Sequence, residues 1–192
     1  MGTTLTSERL TLRSWTLDDV DAALAIYGHE DVARWLSPAM DTVGDRDAMR
    51  LLLQQWIAED FRATPPTGRW AVELTAERRV IGGVVVLPMP PEGEDLEFGW
   101  QLVPEAWGHG YAAEAGNAIA HWALSQADVD ELFAVVRPSN TRGAATAKRI
   151  GMEWVGETDK YYGMRLQVYR LRAGDLDHPL PGQTTATETS PD

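Results

Sequence analysis

The sequence contains no cysteine. That excludes disulfides, a thiol nucleophile and any zinc site built on thiolates. Histidine is scarce as well. His29, His109, His121 and His178 show no ligand spacing, so no metal site is expected. Basic residues are outnumbered, 17 Lys and Arg against 29 Asp and Glu, for a formal charge of −12. Binding to a phosphate backbone needs clustered cations, so no nucleic-acid partner is expected. A cationic substrate such as an amine fits this charge, although acidic surfaces also serve solubility alone. Long apolar runs are missing too. The apolar uncharged stretch Val80 to Pro91 stops well short of the ~20 residues of a spanning helix, and the N-terminus has no apolar signal core. No membrane partner is therefore expected, and the expected compartment is the cytoplasm. Met1 to Thr6 fits the myristoylation pattern, but so short a pattern recurs by chance and carries no weight.

What is present is an ordinary apolar fraction over 192 residues, enough for one well-buried domain and short for two. From Asp177 onward Pro, Thr, Ser, Gln and Asp dominate, so residues 1–176 are read as the domain and 177–192 as a disordered tail. Arg9 to Trp15 alternates as a short strand. Thr16 and Asp19 resemble a capping box, ahead of a helix with Leu17, Val20, Leu24 and Tyr27 on one face. A second helix is expected from Asp45 to Asp60, with Met49, Leu52, Leu53 and Trp56 aligned. The period then changes to two. Trp70 to Leu74, Val80 to Leu87 and Leu96 to Val103 read as a three-strand meander. A helix from Ala112 to Gln126 should bury Ala115, Ala118, Ile119 and Trp122. It is followed by a strand at Leu132–Val136, a helix at Thr141–Ile150 closed by Gly151, and strands at 154–157 and 166–171.

The segment with chemical content is Trp107-Gly108-His109-Gly110-Tyr111-Ala112-Ala113-Glu114, between an apolar strand and an amphipathic helix. Glycines there permit backbone conformations that turn consecutive N–H groups toward one concavity, and the helix N-terminus adds partial positive charge. Such a nest suits a pyrophosphate. Gly108 to Ala113 also fits the dinucleotide fingerprint G-x-G-x-x-G/A. Context argues against that reading. Pro104 to Trp107 intervenes between strand and glycines, a meander comes first, and Asp130 and Glu131 precede their strand, where the ribose-binding acid should end it.

The same segment resembles motif A of the GNAT superfamily of acetyltransferases, Arg/Gln-x-x-Gly-x-Gly/Ala, with Gly110 and Ala112 at the last two defined positions. Trp107 stands where Arg or Gln is usual, yet Trp-Gly-His-Gly-Tyr-Ala is similar to the variant of the RimJ/RimL-like branch. Ser7 to Arg13 resembles that branch's first strand, Glu97-Phe98-Gly99-Trp100 its motif-A strand, and Asn140 through Met152 its Asn-x-x-Ser…Lys-Leu-Gly-Phe segment. In order, these matches cover most of the chain.

The resemblance implies an α/β fold of the α+β type: a single GNAT-like domain whose mixed sheet is splayed beside the motif-A strand and flanked by helices. It implies acetyl-coenzyme A in the wedge, its pantetheine pairing with Leu102 and Val103. Gly108, His109, Gly110, Tyr111, Ala112 and Ala113 would hold the pyrophosphate and Asn140 the pantetheine arm. Lys148 would approach the outer phosphate, or else be a solvated helix-face lysine. It further implies an N-acetyltransferase acting by direct attack of an amine, either a protein N-terminus or a small molecule, through a tetrahedral oxyanion held by backbone N–H from a bulged strand near Leu102. A homodimer is compatible with it.

Departures from the pattern bear on mechanism. The family's Ser is Gly143 and its tyrosine acid is Ala147, so neither usual side chain can protonate the thiolate. These two positions keep a non-catalytic acyl-coenzyme A module as the alternative. Tyr161 and Tyr162 lie further on and are read first as strand-end packing, with substitution for the acid as the other reading. Glu97, acidic on an otherwise apolar strand, is the candidate base, although alternation alone would also place it outward, and Glu73 is second. The amine decides how much a base matters. An α-amine near pKa 8 needs only about 1 kcal/mol to be neutral at pH 7, and a lysine near 10.4 almost 5.

Overall fold

Leu10 and Leu12 are fully buried while Thr11 and Arg13 are partly exposed, the period-two signature of a strand covered on one face. The computed structural model describes residues 3–90, 93 and 95–176; the expected tail, 177–192, lies outside them. The strand, β2 (Leu10–Ser14), runs between a two-residue β1 (Leu5–Thr6) and β3 (Gly68–Leu74). The sheet continues through β4 (Arg79–Pro88), β5 (Leu96–Leu102), β6 (Glu131–Val136), β8 (Leu166–Arg172) and β7 (Glu153–Thr158), eight strands in the order β1-β2-β3-β4-β5-β6-β8-β7. Every neighbouring pair is antiparallel except β5 with β6. The sheet is mixed, and the single α/β domain expected from the sequence is the fold found.

Between β2 and β3 the helices α1 (Val20–Tyr27), α2 (Glu30–Ala33) and α3 (Arg46–Arg62) cross one sheet face. The Asp19 carboxylate accepts the Thr16 N–H (2.9 Å), the reach-back half of the expected capping box, ahead of α1. Asp45 caps α3 by accepting the Ala48 N–H at 2.8 Å. Trp15, Tyr27 and Trp56 then pack with ring centroids 5.1–6.3 Å apart. The approach of α1 to the sheet is set by Gly83, where an added Cβ would stand 2.4 Å from the Tyr27 hydroxyl.

The opposite face carries α4 (Tyr111–Leu124) and α5 (Thr141–Ile150), with a one-turn α6 (Ala173–Leu176) after β8. Gly151, at φ +99°, closes α5 by a Schellman arrangement: its N–H bonds the Lys148 carbonyl and the Met152 N–H bonds that of Ala147. The buried stripe of α4 differs from expectation. Ala118 and Trp122 are only partly covered, while Gly116, Ala120 and Ala123 join Ala115 and Ile119 inside. Close contact selects small residues: a Cβ on Gly116 would come within 2.5 Å of Ile150 and 3.2 Å of Phe98. Trp122 turns to the rim and meets Trp70 edge-on at 5.3 Å. The stripe of α1 is likewise shifted, with Val20, Ala23, Ile26 and Tyr27 buried and Leu24 at the margin.

Candidate active site

β4 and β5 pair over their whole shared length, Gly82–Pro88 against Leu96–Leu102. β5 and β6 share one register pair, Glu97 with Phe133, and then part. The gap is a cavity lined by residues 97–101 of β5, by Ala134 to Arg137, by Asn140 and Gly143, by the loop 35–39, and by Tyr162 and Met164. A second pocket shares Trp100, Gln101, Asn140 and Gly143 with it and extends to Trp107, Ala112 and Arg142.

Hydrogen-bond parity decides what β5 offers to this gap. Val103 donates its N–H to the Ile81 carbonyl (2.9 Å), and bonded pairs alternate along an antiparallel ladder. Residues 97, 99, 101 and 103 therefore direct their backbone toward β4, and Trp100 and Leu102 direct theirs into the gap. This corrects the expected pairing at Val103, whose N–H is taken. The Leu102 carbonyl accepts the Trp107 indole N–H at 2.9 Å, which leaves the Leu102 N–H and both backbone groups of Trp100 facing the cavity. The expected bulge near Leu102 is also corrected. The β4–β5 register is unbroken; the ladder shifts lie between Val72 and Glu73, where β4 carries the extra residue Ile81, and between Trp154 and Gly156 of β7.

Between Trp107 and Ala112, which line the second pocket, Gly108 and Gly110 both adopt φ +81° on either side of His109. Gly110 is the N-cap residue of α4, and no side chain caps that end. The first helical bond runs from the Glu114 N–H to the Gly110 carbonyl (3.0 Å), so Tyr111, Ala112 and Ala113 keep N–H groups without helical partners. Three free donors at a positive helix end, beside two left-handed glycines, form a cradle for an anion. Glu114 fixes it from behind by accepting the Ser7 hydroxyl (2.7 Å), the Arg9 N–H (2.8 Å) and Arg9 Nε (2.7 Å). Burial pushes this carboxyl up, but those bonds outweigh it and hold Glu114 below its ordinary range.

The other expected contacts divide. His109 is exposed and stacks on Tyr111 with centroids 5.5 Å apart. Asn140 lines both pockets, and its Oδ1 accepts the Gly143 N–H (2.9 Å) as the cap of α5. Lys148 is exposed near the far end of α5 and lines neither pocket. Two basic groups border the cradle: Arg142, its guanidinium 3.6 Å above the Trp107 ring, and Arg9, paired with Glu114 and 4.5 Å from the centre of the Tyr111 ring. No sequence signal separated Arg142 from its helix neighbours.

On the α1–α3 face of the gap stands Glu97. Its carboxylate accepts a bond from the Tyr162 hydroxyl. Burial pushes the Glu97 carboxyl above its ordinary range, and the Tyr162 bond offsets this only in part. Tyr162, at φ +56°, lies outside extended backbone; burial, then the Glu97 charge, raise its hydroxyl well above the usual tyrosine range. Tyr161 does pack, buried against Met89 and Leu166, while its hydroxyl donates to Asp95 at 2.6 Å. Glu73 lies away from the cavity. With Asp19, ahead of α1, it holds Arg13 of β2, at 2.9 and 2.8 Å, in a partly buried ion cluster.

The family described as acetyltransferase (GNAT) domain matches residues 9–153. The chain is 24% identical over 171 residues to the uncharacterized N-acetyltransferase p20 of Bacillus licheniformis, covering 86% of this chain and 93% of that one. Its fold is that of the ribosomal L7/L12 α-N-protein acetyltransferase RimL solved with coenzyme A (TM-score 0.74, 17% identity, 91% of this chain and 100% of that one). It is also that of Mycobacterium smegmatis RimJ solved with a coenzyme A disulfide (TM-score 0.76, 16% identity, 92% and 90%).

Proposed function

The chain belongs to the GNAT acetyltransferase family, and from that premise we propose that it transfers the acetyl group of acetyl-coenzyme A to a primary amine within the β5–β6 gap, with Glu97 as base. The acceptor class is a protein N-terminal α-amine or a small-molecule amine. One observation carries the reading: the strands part immediately after Glu97–Phe133, with an anion cradle on one sheet face and the Glu97–Tyr162 pair on the other. A cofactor with a pyrophosphate and an amide-bearing arm fits the residues present. The unpartnered N–H groups of Tyr111, Ala112 and Ala113 suit the phosphates, and the backbone of Trp100 with the N–H of Leu102 suits the arm. Arg142 adds charge beside the cradle, and Asn140 has its amide N–H₂ left over from capping.

When bound, acetyl-coenzyme A supplies an acyl carbon activated by its thioester. The chain's part is orientation and proton traffic. Glu97 accepts the proton that the amine nitrogen loses, and Tyr162 aims the carboxylate and partly offsets the burial that disfavours its anion. One N–C bond forms, one C–S bond breaks, and one proton passes from nitrogen to sulfur. A thiol is far more acidic than an alcohol, its side-chain counterpart lying near pKa 8.5, so water can supply the sulfur's proton without Gly143 or Ala147 serving as acids.

The test is release of free thiol from acetyl-coenzyme A in a screen of amines and N-terminal peptides. Turnover of any amine supports the reading. A raised Tm with acetyl-coenzyme A but no thiol release in any arm replaces it with the non-catalytic module.

A further inference from the structure

Alternation places the side chains of Phe133, Val135 and Arg137 on the face that carries Glu97, because Glu97 and Phe133 are register partners. Arg137 follows β6 directly and lines the cavity with Glu97 and Tyr162. Its Nη2 donates to the Ser37 carbonyl, on the loop that borders the same cavity. Its Nε is buried and donates to nothing. Among the described residues no carboxylate pairs with it. Three other partly buried arginines each hold two: Arg13 binds Asp19 and Glu73, Arg69 binds Glu59 and Asp60, and Arg170 binds Glu131 and Glu153. In a chain with 29 acids and 17 bases, a cavity-wall arginine without one stands apart. Such a guanidinium keeps a planar set of N–H donors with only a backbone carbonyl as partner, and a carboxylate entering the cavity is the group that matches them.

Resting on the reading of this cavity as the acceptor site, we infer that Arg137 binds a carboxylate of the acceptor, so that the substrate is an amine that also carries a carboxylate. Arg137 lies four residues beyond Phe133, about 13 Å along the strand at 3.3 Å per residue. That offset favours a carboxylate further from the amine than in a free α-amino acid. A dipeptide is the shortest peptide of that kind, and an acidic side chain next to a protein N-terminus is another. The amine offsets the carboxylate's charge, so the surface charge of −12 does not repel such a molecule as it would a polyanion.

The experiment uses the full chain, acetyl-coenzyme A and thiol release, with two acceptor pairs. Ala-Ala against Ala-Ala-amide tests a small free acid. A C-terminally amidated pentapeptide beginning Ala-Asp, against its Ala-Asn counterpart, tests a protein N-terminus. Arg137 should give the acid a kcat/KM about 10–100-fold above its neutral twin in one pair, the worth of a charged two-pronged bond, and that pair identifies the source. Arg137→Gln should bring the ratio to near one, and Arg137→Lys should leave it intermediate. A ratio near one in both pairs for the parent enzyme overturns the inference without any variant, as does a ratio unchanged in Arg137→Gln. Failure of all four acceptors while other amines are turned over also overturns it. Failure of every amine sinks the acetyltransfer reading beneath it.

Discussion

The Tyr162 hydroxyl donates to the Glu97 carboxylate, joining the turn before β8 to a strand 65 residues earlier. Because that bond stabilises the anion, Tyr162→Phe should raise the Glu97 pKa and move the acid limb of the pH–rate profile to higher pH. Glu97→Gln should lower kcat by about 10²–10⁴-fold and leave acetyl-coenzyme A affinity nearly unchanged. A Glu97→Gln enzyme as fast as the parent removes Glu97 from the mechanism.

The same carboxylate opposes folding near neutral pH. Its native pKa lies above its unfolded value, so the native state binds more protons between the two. Its favourable contribution is complete below the unfolded pKa and is lost as pH rises through the native one. Glu97→Gln should therefore raise Tm at pH 7–8 and change it little at pH 4, read by thermal unfolding at both. Slower and more stable is the expected pairing of effects at an active-site group.

Arg13 is the counterpart case. Burial pushes Asp19 up, but the bonds from Arg13 and Thr16 outweigh it and hold Asp19 below its ordinary range. Its stabilisation is present above the unfolded pKa and lost as pH falls through the depressed one. Arg13→Met strands Glu73 on β3 and Asp19 ahead of α1 without their cation and should cost about 3–5 kcal/mol in urea unfolding at pH 7. The deficit should shrink in acid, where the parent also loses the pair. Equal deficits at both pH values would contradict this account.

At the cradle, Gly110→Val puts a β-branched residue at φ +81° and a side chain where three N–H groups open. Acetyl-coenzyme A should raise the Tm of the parent by mass action. It should not raise that of the variant, whose own unfolding remains cooperative. An unchanged shift would put the phosphates elsewhere.

Residues 177–192 have the composition of a chain that cannot bury a core. A chain ending at Leu176, which packs on the main core, should keep both Tm and turnover. Lost turnover at unchanged Tm would tie the segment to the acceptor site instead.

The sequence by itself determined the order of the longer elements and the glycine turn ahead of α4, but not the short β1, α2 and α6. Period-two runs at Trp70–Leu74 and Val80–Leu87, and Gly108 and Gly110 before an amphipathic helix, are local signals, and local backbone preferences answer them. Tertiary packing decided the rest. Which stripe of α4 is buried followed from the closeness of Gly116 to Phe98 and Ile150, and that depends on a helix 30 residues away. Whether Val103 or Trp100 faces the gap followed from the ladder with β4. That Tyr162 meets Glu97, and that Arg137 lines the same wall with no carboxylate partner among the described residues, no spacing could announce. Such pairings arise only where strands distant in sequence close on one cavity, because hydrogen bonds and charge respond to distance in space and not to position along the chain.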